Sequence, residues 1–127
     1  MEMEKLFLEI DGNARKREKT LHRVCEFLNR LNDTLYEKRI GRRVEIPIEG
    51  IRTTQQIVTH FGWGVVRSNW GLFVGLEKDG EVIEKLLQET QMRIRIDMLD
   101  KIPTLLNEIS RLLKEDTEQI GQKLDAL

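Results

Sequence analysis

Five apolar residues, Leu21, Val24, Leu28, Leu31 and Leu35, recur at spacings of three, four, three and four, and this constrains the chain more than any other feature. A stripe of that period lies on one face of an α-helix, while arginine, lysine and glutamate fill the other faces. It predicts an amphipathic helix over 14–38. Such a helix must bury its apolar face, either on the rest of the chain or on a partner. The same spacing suits a short coiled-coil seam with a second chain. Ahead of it, "EKLFLEIDGN" reads as a short strand or a helical turn, and Asp11, Gly12 and Asn13 read as a break and a cap.

After "KRIGRR" the period drops to two. In "VEIPIE", Val44, Ile46 and Ile48 alternate with Glu45, Pro47 and Glu49, which predicts a half-buried strand over 44–49. Pro47 has no N–H for a ladder, so this strand belongs at a sheet edge. Gly50 breaks it, and Thr53 or Thr54 is placed to cap a short helix, "TTQQIVTHF", that ends at Gly62. "WGVVRSNWGLFVGLEKDGE" then predicts a β-hairpin over 63–78, with Asn69 and Trp70 in a type I turn and Gly71 in the left-handed position. Asp79 and Gly80 introduce a helix whose face carries Val82, Ile83, Leu86 and Leu87.

The stretch "QMRIRIDML" decides between two layouts. As a helix it is apolar on two faces, since Ile94 and Met98 lie nearly opposite Met92, Ile96 and Leu99. As a strand, Met92, Ile94, Ile96 and Met98 share one face and Arg93, Arg95 and Asp97 the other, so a strand over 91–98 is expected. Pro103 is compatible with a helix's first turn and predicts a C-terminal helix over 103–127. That helix carries Leu106, Ile109, Leu113, Ile120, Leu124 and Leu127 at mostly heptad spacing. Asp116 interrupts the stripe, so the helix bends or breaks there or turns its stripe to solvent.

The resulting fold class is α+β, a small antiparallel or mixed sheet flanked by amphipathic N- and C-terminal helices. From Val44 onward the order strand, helix, strand, strand, helix, strand resembles the ferredoxin-like split βαβ pattern. With 91–98 helical instead, the layout of helix, small β-structure and long helix resembles prefoldin-type chaperone subunits, with Pro103 kinking the second long helix. With 92–127 as strand, helix, helix, the segment resembles ribbon-helix-helix DNA-binding proteins. That likeness implies base contacts by Arg93 and Arg95. No motif in the chain identifies a family.

The chain has 127 residues, enough for one domain with one modest core. With 34% of its residues charged and a mean hydropathy of −0.43, it has no apolar run of membrane-span length. The acidic N-terminus lacks the basic start of a signal peptide, and Cys25, the single cysteine, has no partner for an intramolecular disulfide. A reducing cytoplasm is the expected compartment.

A formal net charge of −1 conceals a polarity along the chain. From Gly12 to Arg43 ten basic residues face four acidic ones, a net of +6, whereas from Lys78 onward eight basic face eleven acidic, a net of −3. The histidines, His22 and His60, and Cys25 have no local metal-ligand spacing, and "GWG" at 62–64 leads into a strand rather than a phosphate-binding helix. No nucleophile, metal centre, cofactor motif or paired acid and base is legible. The expected function is therefore a non-enzymatic assembly or adaptor protein, whose partner is itself or another protein. Its oligomer seam would run through Leu21, Val24, Leu28, Leu31, Leu35, Leu106, Ile109, Leu113 and Ile120. The alternative is nucleic-acid binding through the basic segment 15–43 and the sheet. Arg39, Arg42, Arg43 and Arg67 would contact the backbone, and Trp63 and Trp70 would stack on bases.

Overall fold

A computed structural model of the chain describes residues 1–52 and 56–127. Helix α1 spans Glu2–Glu37, and strands β1 to β4 span Val44–Pro47, Ile57–Val66, Asn69–Lys78 and Glu81–Leu86. A 3-10 turn at Leu87–Glu89 leads to helices α2, Met92–Leu99, and α3, Ile102–Asp125. The four strands form one antiparallel sheet in the order β1-β2-β3-β4, so the α+β class with flanking N- and C-terminal helices is as the sequence predicts. The topology is a meander of hairpins, which replaces the ferredoxin-like order. Pro47 lies in the edge strand β1, where its missing N–H breaks no ladder.

Both tight hairpins are made by two-residue turns. Val66 pairs with Asn69 across Arg67 and Ser68, whose φ angles are +48° and +70°. Lys78 pairs with Glu81 across Asp79 and Gly80, at +52° and +82°. Two left-handed central residues are the mark of the turn whose twist matches that of the flanking strands. The first turn thus sits two residues before the predicted "NWG", and Asp-Gly opens a strand rather than a helix. Strand β2 likewise replaces the short helix expected before Gly62; the Thr53 or Thr54 cap of that helix lies outside the described residues. An irregularity in the β2–β3 register between Val58 and His60 brings Val58 and Phe61 to the same, buried face.

Helices α1 and α3 lie against that inner face, and α2, packed on α1 and the 3-10 turn, joins the same core. Val44, Ile46, Ile48, Val58, Phe61, Trp63, Leu72, Val74 and Leu76 from the strands pack with Leu28 and Leu35 of α1. Ile94 and Met98 of α2 and Ile102, Leu105 and Ile109 of α3 complete the core. Burying each such side chain contributes about 1.5–3 kcal/mol, which is what holds amphipathic helices to a sheet.

Residues 91–98 form helix α2 rather than a strand. Both of its apolar sides find cover, with Ile94 and Met98 buried and Met92, Ile96 and Leu99 half-buried. The Arg95 guanidinium donates to the carbonyls of Gln88 and Thr90, each at 2.7 Å, which satisfies carbonyl groups of the preceding 3-10 turn. The ribbon-helix-helix arrangement is excluded with that strand. Pro103 stands in the first turn of α3 and kinks nothing. Helix α3 runs unbroken past Asp116, and α1 runs unbroken through Asp11, Gly12 and Asn13. One interior glycine costs a helix only about 1 kcal/mol, too little to end one flanked by good formers. Among the described residues no helix is long and apolar enough to cross a membrane.

Candidate functional site

Helix α1 is longer than the surface it packs on. Every residue from Met1 to Thr20 is exposed, and Leu21 is the first that is half-buried. From there Val24, Leu28, Leu31 and Leu35 cover the sheet, so the stripe predicted as an oligomer seam is spent within the molecule. The stripe itself does not stop at Leu21. Met3, Phe7, Ile10, Ala14, Arg17 and Leu21 continue it upstream at alternating spacings of four and three, in phase with the buried half. Phe7 is 60% exposed and Ile10 59%, with Met3 and Leu6 similarly bare. Sequence reasoning missed this half because Gly12 suggested a break and Arg17 occupies one stripe position. The unbroken heptad phase was the signal that could have found it.

Helix α3 divides the remaining seam residues. Ile109 belongs to the core, whereas Leu106, Leu113 and Ile120 lie on an exposed edge of the helix. Asp116 interrupts the stripe because it faces the body, where it accepts a hydrogen bond from Arg42.

The predicted nucleic-acid residues are dispersed and largely engaged. Arg42 pairs with Asp116, Arg43 with Glu84 and Glu45, and Arg67 with Glu89. Arg39 is exposed in the turn after α1, at φ +53°. Trp63 is a core residue whose indole N–H donates to the Ile40 carbonyl at 3.0 Å, and half-buried Trp70 stacks on it at 6.0 Å between ring centroids. The sheet therefore does not present Trp63 to a base.

The outer face of the sheet, turned away from the helices, holds a polar cluster. Strand pairing places His60 beside Gly75 and Gly75 beside Glu84, on β2, β3 and β4 in turn. Because Gly75 has no side chain, the imidazole lies across it; a Cβ there would stand 2.0 Å from His60 Cε1. His60 Nε2 reaches Glu84 at 2.6 Å, and its Nδ1 meets Thr59 Oγ1 at 2.8 Å. Arg43 spans both Glu84 oxygens, one of them at 2.9 Å, with its guanidinium 4.4 Å from the Phe73 ring centroid. The Arg43 hydrogen bond is the main reason that the Glu84 carboxyl falls from the ordinary 4.5 to about 2, with His60 adding to the effect and burial opposing it. Glu84 in turn raises Arg43.

Glu45, His60 and Glu84 bring three donor atoms within 4.8 Å of one another and are, among the described residues, a set with the composition of a metal site. Arg43 already occupies both carboxylates, so a cation would have to displace a guanidinium. The arrangement reads as a charge-compensated cover over Phe73. A separate cleft of about 620 Å³ lies between α1, β3 and the segment 86–95. Its Arg95 is committed to the Gln88 and Thr90 carbonyls and approaches Cys25 Sγ at 3.4 Å.

Among the described residues, the free half of α1 thus carries a run of exposed large hydrophobics, Met3, Leu6, Phe7, Leu8 and Ile10. Against protein-family models, curated proteins and solved structures alike, the chain gives no match.

Proposed function

We propose that this chain is a non-enzymatic assembly or adaptor protein, and that it works by self-association through the projecting half of α1. The observation that supports this is a heptad stripe, polar only at Arg17, whose second half is buried or half-buried against the body and whose first half is bare. Most helical stability in proteins comes from packing an apolar face, and over residues 1–20 that face has nothing to pack on in the single chain. Exposed apolar stripes of this kind mark interaction sites.

Sedimentation velocity of the whole chain across a wide range of concentration tests the proposal. The expected result is a reversible shift from monomer to a larger species, abolished by Ile10→Glu with the circular dichroism of the sheet unchanged. A monomer at every concentration would sink it. The nucleic-acid reading keeps one supporting observation, the exposed basic band Arg15, Lys16, Arg17, Lys19 and Arg23 on α1. Salt-sensitive binding to mixed-sequence DNA or RNA, lost on neutralising that band, would favour it instead.

A further inference from the structure

We infer that the free half of α1 pairs antiparallel with the same segment of a second copy, about a two-fold axis at the level of Gly12 along the helix. The inference rests on the assembly reading above and adds the partner, its direction and its register.

Charge gives the direction. From Met1 to Asn13 the side chains carry four acids, Glu2, Glu4, Glu9 and Asp11, and one base, Lys5, a net of −3; from Ala14 to Arg23 they carry five bases and one acid, a net of +4. A parallel pair would stack like on like along its whole length. An antiparallel pair lays each acidic half against its partner's basic half, and like charges facing each other are what charge patterning in helix pairs selects against.

Spacing gives the register. With Phe7, Ala14 and Leu21 at one seam position of the heptad and Met3, Ile10 and Arg17 at the other, an antiparallel pair sets the first kind opposite the second. One alignment does this throughout: Met3 faces the other copy's Leu21, Phe7 its Arg17, and Ile10 its Ala14. The same three pairings repeat on the far side of the axis, as a two-fold interface requires. The single polar member of the stripe is thereby accounted for. Arg17 meets the Phe7 ring, and one helical turn to either side of Phe7 stand Glu4 and Asp11. A guanidinium placed over an aromatic face between two carboxylates is a favourable setting for a charge in a seam.

Length agrees with both. The overlap runs from Met3 to Leu21, and Leu21 is the first residue of the stripe that is half-buried in the single chain. The second helix occupies along the first half of α1 the place that the body of the molecule takes along the second half. The two bodies then sit at opposite ends of a two-helix rod, with their Leu21 residues about 27 Å apart along its axis at 1.5 Å per residue.

The test combines mass with cross-linking in a Cys25→Ala background. Phe7 and Arg17 are both exposed in the single chain, so Phe7→Cys and Arg17→Cys disturb no internal packing. Mixed and oxidised, the Phe7→Cys and Arg17→Cys chains are expected to form the mixed disulfide, while each alone stays unlinked. Charge reversal supplies a second readout: Arg17→Glu is expected to weaken the dimer by about tenfold or more, and Glu4→Lys in the same chain to restore it. A dimer in which Phe7→Cys links to itself would overturn the antiparallel register and leave the assembly reading standing. A dimer that Glu4→Lys fails to restore would do the same. A chain that stays monomeric overturns both.

Discussion

Phe73 and Phe7 both belong to surfaces that no other layer of the molecule covers, yet Phe73 is 0% exposed and Phe7 is 60% exposed. On the outer face of the sheet the chain makes its own cover. Glycines at 62, 64 and 75 leave the room, and Arg43 and His60 lie over the ring, the imidazole edge-on at 5.8 Å. Glu84 and Glu45 then neutralise the guanidinium. On the free half of α1 nothing comparable is built, although lysine and arginine stems are close by and long side chains readily shield apolar neighbours. The difference teaches that a bare apolar stripe is not simply what remains where the fold runs out of layers. The same chain hides one face with its own side chains and leaves the other bare.

The largest expected effect breaks this comparison at its centre. Phe73→Ala removes a fully enclosed ring and is expected to cost about 3–5 kcal/mol. Phe7→Ala, measured at protein concentrations low enough to keep the chain monomeric, should leave the unfolding free energy within about 0.5 kcal/mol, as surface substitutions do. Chemical denaturation of both variants checks the pair. Similar losses for the two would mean that Phe7 is packed within the monomer and that the free half is not free.

A second pair of substitutions is smaller and opposite in sign. At Gly62 an added Cβ would stand 2.3 Å from the Val44 carbonyl oxygen and 2.8 Å from the Phe73 ring, so backbone has to move and Gly62→Ala is expected to cost about 1–3 kcal/mol. At Gly12 nothing lies within 4 Å, and the residue sits in a helix interior. Gly12→Ala should therefore stabilise α1 by about 0.5–1 kcal/mol, read as increased helicity and slower amide exchange over 1–20. A gain at Gly62 or a loss at Gly12 would reverse the assignment of which surface is enclosed.

Much of this fold was legible, for reasons that also explain the misses. The stripe from Leu21 to Leu35 and the alternation in "VEIPIE" each fit a single geometry; the stripe formed a helix, and the strand formed over Val44–Pro47 of the 44–49 expected. "EVIEKLLQE" fits two. Its apolar pairs at 82, 83, 86 and 87 suit a helix, but the Asp-Gly turn before it delivers the chain antiparallel to β3, where six residues pair in the ladder. Tertiary pairing decides there, and the turn residues were the local sign of it. "MRIRIDML" alternates as cleanly as any strand, yet it follows β4 through a 3-10 turn and is covered as a helix on both sides. The outer-face cluster was illegible for a different reason. Arg43, His60 and Glu84 are brought together only by the register of four strands, and no local spacing records that.

The smallest effect separates the self-made cover from ordinary surface charge. Glu84 has its folded-state value drawn from 4.5 to about 2, chiefly by the Arg43 hydrogen bond. A carboxylate more acidic in the folded state contributes stability that is fully present above its unfolded value and is lost as pH falls through the folded one. The wild-type protein should accordingly lose a small increment between about pH 4.5 and 2. The increment is that of a partly exposed ion pair, about 1 kcal/mol or less. Glu84→Gln and Arg43→Ala should each flatten that part of the acid limb, measured by denaturant midpoints at successive pH values. Arg43→Ala should also admit solvent to the Phe73 ring. An acid limb identical in all three proteins would show that packing by the arginine stem, rather than its pairing with Glu84, keeps Phe73 enclosed. The contrast with Phe7 would then rest on shape alone.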